Sequence, residues 1–197
     1  MQNFWDERFS SDEYVYGTRP NVFFKMTIDG LTPGKILFPA EGEGRNAVYA
    51  AKLGWDVTAY DTSSEGIRKA LKLASGNRVD LMYILTGHQE FQAEPESFDC
   101  IVLIYAHFAP GQRQANHKKL SGFLKPGGTI ILEGFSKQQL SYNTGGPGNL
   151  GMLFSKEEIE DDFQEFSNLD VTEQILTLDE GRFHQGQAAV IRMVGKK

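Results

Sequence analysis

The amino-acid sequence predicts an α/β fold: a Rossmann-like, seven-stranded, mostly parallel sheet with helices on both faces and a C-terminal antiparallel hairpin. Three observations predict it. Apolar runs alternate with helical patterns along most of the chain, which is the mark of βαβ units. Near the start, an apolar run (Ile36-Leu37-Phe38-Pro39) leads through a tight glycine-bearing turn into a helical pattern beginning near Arg45. The last two apolar runs are separated by little more than Asp179-Glu180-Gly181-Arg182, which is too short for a parallel crossover and suits a hairpin.

Taken in order, strands are expected near Lys35–Pro39, Asp56–Asp61, Leu81–Thr86, Phe98–Tyr105, Thr129–Phe135, Leu169–Leu178 and Gln185–Val194, each a short apolar run bounded by turn residues. Helices fit the polar–apolar periodicity near Asn21–Gly30, Gly44–Leu53, Ser64–Ser75, Arg113–Leu124 and Lys156–Phe166. A chain of 197 residues suits one domain with a sizeable core. Residues 1–197 are therefore read as a single domain, with 1–30 as an N-terminal helical cover. Residues 136–154, too long for a mere connection and holding Tyr142-Asn143-Thr144-Gly145-Gly146-Pro147-Gly148, read as a substrate loop.

Charge and composition bound the partners. The net charge is −6 with scattered lysines and arginines, whereas nucleic-acid binders carry a basic face. The densest charge run is acidic, Glu157-Glu158-Ile159-Glu160-Asp161-Asp162, and reads as the solvated face of a helix. No apolar run reaches the ~18 residues that cross a bilayer, and the N-terminus lacks a basic-then-apolar signal pattern. The one cysteine, Cys100, lies inside an apolar run and reads as a buried residue in a reducing, cytoplasmic setting. A small-molecule partner is expected, with no nucleic acid and no membrane, in a monomer or homodimer.

The chemistry centres on Glu41-Gly42-Glu43-Gly44-Arg45-Asn46-Ala47. Two glycines let the backbone take unusual angles and a ligand come close. Asp61 closes the next strand, 17 residues after Gly44, where an acid accepts ribose hydroxyls in nucleotide-binding α/β folds. Gly42, Gly44 and Ala47 also satisfy G-x-G-x-x-G/A, so a nicotinamide dinucleotide and an NAD(P)-dependent oxidoreductase stand as an alternative. Glu41 and Glu43 would place like charge beside its pyrophosphate. A ligand with cationic ammonium and sulfonium centres suits the turn better.

Several segments together resemble the class I S-adenosylmethionine (SAM)-dependent methyltransferases, and within them the tellurite-resistance (TehB-like) and thiopurine methyltransferase-like group. They are Phe4-Trp5-Asp6-Glu7-Arg8-Phe9 with Tyr16-Gly17, the glycine turn, Asp61-Thr62-Ser63, Gly87-His88-Gln89-Glu90-Phe91, Phe98-Asp99 and Leu124-Lys125-Pro126-Gly127-Gly128. The resemblance implies SAM as cofactor and S-adenosylhomocysteine (SAH) as product. It implies that Glu41, Gly42 and Gly44 line the methionine part of SAM, with Arg45 and Asn46 also in the cofactor-binding set, Asp61 at the ribose, Thr62 and Ser63 at the adenosine, Gln89 and Glu90 at the adenine edge, and Tyr105 and Ala106 at the reacting centre. The chain departs from the family pattern at Phe38 and Ala40, where an acid and a glycine are usual. Glu41 would then take over the contact to the SAM ammonium, and a non-catalytic SAM-binding module stays open.

On the acceptor side, Trp5, Tyr16, His107, Phe108, Arg113 and Tyr142 are the candidates, because ligands of open α/β sheets bind beyond the C-terminal strand ends. His107 is the only histidine placed for a general base, while His88 could touch adenine, His117 falls on a helix and His184 precedes the last strand. No G-x-S-x-G, P-loop, H-E-x-x-H or C-x-x-C pattern is present, so no metal is expected. The Ile104-Tyr105-Ala106-His107 stretch also differs from the motif of base amino-methylating enzymes. The expected acceptor is a thiol or chalcogen nucleophile.

Overall fold

The computed structural model describes residues 2–197; Met1, the first residue of the expected cover, lies outside them. The strands are β1 (Lys35–Pro39), β2 (Asp56–Asp61), β3 (Met82–Leu85), β4 (Phe98–Ile104), β5 (Leu124–Phe135), β6 (Ser167–Asp179) and β7 (Gln185–Lys196). The helices are α1 (Gln2–Phe9), α2 (Val22–Ile28), α3 (Arg45–Lys52), α4 (Ser64–Asn77), α5 (Arg113–Phe123) and α6 (Lys156–Asp162). The strands form one seven-stranded sheet in the order β3-β2-β1-β4-β5-β7-β6. β1 to β5 pair in parallel, and β7 runs antiparallel between β5 and β6. The predicted mostly parallel sheet with a terminal hairpin is what forms.

Side-chain alternation along the central strands builds a core on each face. Leu37, Ile101, Leu103, Ile130 and Leu132 point to one side, where Leu120 and Phe123 of α5 and Ile159 of α6 meet them. Ile36, Phe38, Cys100, Val102 and Ile131 point to the other, against Phe24 and Ile28 of α2 and Ala47 and Ala50 of α3. Burying each such aliphatic or aromatic side chain is worth about 1.5–3 kcal/mol. Phe38, noted in the sequence as a departure from an expected acid, is fully buried core. Cys100 is buried as expected.

The strand order reverses between β1 and β4, so the loops leaving these two strands diverge and open a crevice at their C-terminal ends. That crevice receives the glycine turn from β1 and Tyr105 from β4.

Several boundaries differ from expectation for physical reasons. β5 begins at Leu124 rather than Thr129, because Leu124 pairs with Phe98 across a bulge and Gly127 donates to the Lys197 carbonyl; Lys125-Pro126-Gly127-Gly128 reads as a turn but is held in the sheet by both neighbours. β3 is shorter by a residue at each end. The acidic run is not all solvated: the Asp162 side chain is fully buried, held by Arg113 and His117, while Glu158 pairs with Arg113 and Lys137. Among the described residues, no helix is long and apolar enough to cross a membrane.

Candidate functional site

The crevice is a cavity of about 650 Å³, within the about 300–1,000 Å³ common to small-molecule sites. The glycine turn forms one end. Gly44 opens α3 at φ +82°, and a Cβ there would lie 2.5 Å from the Ala70 Cβ of α4. Only glycine meets both demands. Ala40, noted in the sequence as a departure from an expected glycine, takes φ +51°, a left-handed conformation that costs a residue with a Cβ roughly 1–2 kcal/mol.

The two carboxylates of the turn part company. Glu41 Oε1 accepts the Asn46 and Ala47 amides at 2.9 and 2.8 Å, capping α3 and leaving Oε2 for the cavity. Burial outweighs these hydrogen bonds and the nearby Arg45 and pushes the Glu41 carboxyl up to about 7. Glu43 is engaged by the buried Lys69 ammonium and the Val15 and Tyr16 amides. Of the two acids that weigh against a pyrophosphate, Glu41 alone thus keeps an oxygen for a ligand. Asp61 accepts the Gly42 amide on one oxygen and the Ser63 amide on the other, each at 2.9 Å. A carboxylate oxygen has two acceptor sites, so both retain capacity for hydroxyl donors. Burial, against those amide bonds, raises its pKa.

The other end is built by segments distant in sequence. Tyr105 leaves β4 at φ +55° and packs on Phe135 and His184. The β6–β7 turn brings Arg182, Phe183 and His184; α1 brings Phe4, Trp5 and Arg8; residues 143–147 of the long loop close the side. Polar anchors seat the N-terminal roof. Asp6 accepts from the Ser63 hydroxyl and the Glu65 amide at the start of α4, and Lys69 donates to the Ser11 and Glu13 carbonyls.

Beneath the cavity runs a buried polar network. Arg45 donates to Glu180 at 2.8 Å and to the Tyr16 carbonyl. The Asn21 amide spans Glu133 and Glu180, and Arg192 closes on Glu133. Burial opposes ionisation of Glu180, but His184 and Arg45 overcome it and hold the carboxyl at about 2.

The cavity wall includes Glu41, Gly42, Arg45, Asn46, Asp61, Thr62, Tyr105 and Ala106 from the expected cofactor set, and Trp5, Tyr16, His107 and Phe108 from the expected acceptor set. Six expected residues stand outside it. Gly44 is turned against Ala70. Ser63 caps α4 through the Gly66 amide. Gln89 and Glu90 are exposed, and the neighbouring His88 lines the wall instead, its Nδ1 2.9 Å from the Tyr60 hydroxyl. Arg113 is drawn to Asp162 and Glu158 on α6, and Tyr142 precedes the part of the loop that reaches the cavity.

His107 lies in the wall, but both ring nitrogens are committed. Nδ1–H donates to the Met152 carbonyl at 2.8 Å, and Nε2 accepts the Phe135 amide at 3.1 Å. Burial holds its pKa down, at about 4, so it is a neutral strut of the loop, and the expected base is not available. Sequence reasoning missed Arg8, Arg182 and His184. The signal for the last two was the Arg182-Phe183-His184 run, a basic and aromatic cluster in a hairpin turn where small residues would serve.

Residues 36–128 match the family model described as Methyltransferase domain. Of the curated relatives, the tRNA (uracil(54)-C(5))-methyltransferase of Pyrococcus horikoshii is 26% identical over 117 residues, covering 52% of this chain and 28% of the relative. The ribosomal protein L11 methyltransferase of Janthinobacterium sp. is 32% identical over 100 residues, covering 50% and 31%. The chain spans less than a third of the length of these relatives. Two solved structures overlie all of it. One, from work on conversion of a disulfide bond into a thioacetal group during echinomycin biosynthesis, has a TM-score of 0.79 at 16% identity, with 93% of its chain covered. The other, TehB from Haemophilus influenzae, has a TM-score of 0.74 at 17% identity, with 66% covered. Both likenesses are of fold.

Proposed function

We propose that this chain, which carries a methyltransferase domain on the class I SAM-dependent methyltransferase fold, methylates a small soft nucleophile, a thiol or a reduced chalcogen, with SAM as donor. The observation that carries the reading is the partly open cavity at the strand-order reversal, acidic at the glycine turn and covered in part by the N-terminal segment. When bound, SAM supplies a methyl group made electrophilic by its sulfonium.

The residues present suit that cofactor. Asp61 keeps acceptor capacity for ribose hydroxyls, and Glu41 Oε2 faces the cavity as a counter-charge for the ammonium. Phe108 and His88, their rings packed edge to face, offer a largely apolar wall for adenine. Tyr105 and Ala106 border the point where acceptor and methyl meet.

Methyl transfer is an in-line displacement in which alignment and exclusion of water contribute much of the rate. With His107 locked neutral, a nucleophile that ionises by itself is favoured over an alcohol that needs a base. The roof and the net charge of −6 support a small acceptor over a nucleic acid. One buried cysteine, read with the absence of disulfides it implies, supports a cytoplasmic setting. A dinucleotide reading is opposed by Glu41 at the place its pyrophosphate would occupy.

Thermal unfolding with SAM, SAH and NAD(H) added separately tests this. A ligand at ~100 times its Kd adds about 2.7 kcal/mol, so SAM and SAH are expected to raise the Tm and NAD(H) to leave it. Transfer of labelled methyl to a thiol panel then separates an enzyme from a SAM-binding module. Stabilisation by NAD(H) alone, or by none of the three, overturns the reading.

A further inference from the structure

The cavity is charged oppositely at its two ends. Glu41 and Asp61 line the glycine-turn end, while Arg8 and Arg182 line the end formed by α1 and the hairpin turn. The ion pairs near that turn use Arg19, Arg45 and His184; among the described residues, Arg8 and Arg182 form none. Phe183 keeps them together, with the Arg8 guanidinium 4.1 Å and that of Arg182 5.6 Å from its ring centre. Both arginines also line an outer pocket of about 360 Å³ between α1 and the hairpin turn, which adjoins the main cavity through them.

We propose that the acceptor carries a carboxylate, bound by Arg8 and Arg182, at the end away from its reacting atom. The inference rests on the methyltransferase reading and names its substrate class. Two guanidinium groups without an ion pair serve an anion, even with Glu7 and Glu13 also lining the outer pocket, and the arginine fork matches a carboxylate in shape. Phe4, Trp5 and Phe183 beside them give apolar wall for an organic body between the carboxylate and the nucleophile. The opposite end suits the cationic donor, so one cavity orients two ligands of opposite sign head to head. In the transfer, the acceptor thiolate sulfur forms the new bond to the methyl carbon, and the pair of the breaking bond stays on the SAH sulfur. The thiol proton has left to water beforehand.

The test is calorimetry on the SAH-loaded chain with 3-mercaptopropionate and its uncharged amide, 3-mercaptopropanamide. The acid is expected to bind at least tenfold tighter, with a preference that shrinks as salt rises. In Arg8→Met, Arg182→Met and the double variant, the acid-over-amide ratio is expected to fall stepwise towards one, with SAH still raising the Tm. Equal binding of acid and amide, no binding of the acid, or a preference that survives in the double variant overturns the proposal. Failure of the methyltransferase reading shows separately, as no SAH effect on Tm. The acid-against-amide comparison on the unloaded chain then still decides whether the arginine pair holds a carboxylate.

Discussion

Arg45 Nη2 lies 2.8 Å from Glu180 Oε2, and both side chains are under 10% exposed. The first residue of α3 is thereby tied to the turn that carries Arg182 and His184, so the glycine-turn end and the far wall of the cavity share one buried ion pair.

Removing one partner strands the other charge in the interior. Arg45→Met or Glu180→Gln is expected to cost about 3–5 kcal/mol, the range for breaking a buried pair. The double variant should recover part of that loss. Urea unfolding of the three variants checks it, and single losses under about 1 kcal/mol would show the pair to be slack.

Glu180 also sets an acid limit. Its carboxyl is held at about 2 in the folded chain, below its ordinary value near 4.3. A depressed carboxylate contributes stability that is present above the unfolded pKa and lost as pH falls through the folded one. Stability should therefore decline between about pH 4 and pH 2. Chemical denaturation across this range should show a shallower slope in Glu180→Gln.

Glu41 works with the opposite sign. With its carboxyl raised to about 7, it becomes an anion only as pH climbs through neutrality, and a cationic ligand binds the anion better. The affinity for SAM is expected to rise several-fold from pH 6 to pH 8. Glu41→Gln should flatten that dependence, as read by calorimetry at each pH.

His107 is a structural tie, with one nitrogen donating and the other accepting. His107→Ala leaves the Phe135 amide and the Met152 carbonyl without these partners, at about 1–3 kcal/mol for each buried group left unsatisfied. Lower stability and faster proteolytic cutting near Met152 are the expected results. Undiminished stability would mean the two bonds contribute little.

Ala40→Gly should relieve the positive φ. Set against the entropy a glycine adds to the unfolded chain, the net expectation is a gain of about 1 kcal/mol in urea unfolding.

What could be read from the sequence depended on how local the cause was. β1 and β2 were legible to the residue, since apolar runs stop abruptly at Pro39 and Asp61. The tight glycine turn and the place of Asp61 beside it were legible because both lie within one βαβ unit. The start of β5 was not: the pull of Phe98 and Lys197 on a Pro-Gly-Gly stretch lies outside any local window. Arg113 was misassigned because its position after β4 says nothing of Asp162, which draws it away. Lys69, the partner of Glu43, lies 26 residues away along the chain, and Arg8, the neighbour of Phe183, lies 175 away, so neither meeting shows in a local window.

The Arg182 amide donates to the Val15 carbonyl at 3.0 Å, so the roof and the hairpin turn are stitched together from opposite ends of the chain. During synthesis the glycine turn and Asp61 leave the ribosome long before residue 182. A nascent chain therefore holds the glycine turn and Asp61 beside a cavity with no far wall. Contacts of such sequence separation carry a larger loop-closure cost, so the wall that Arg182 and His184 build waits on the pairing of β7 with β5 and β6. The cavity is thus complete only once the β6–β7 hairpin has closed on the N-terminal segment.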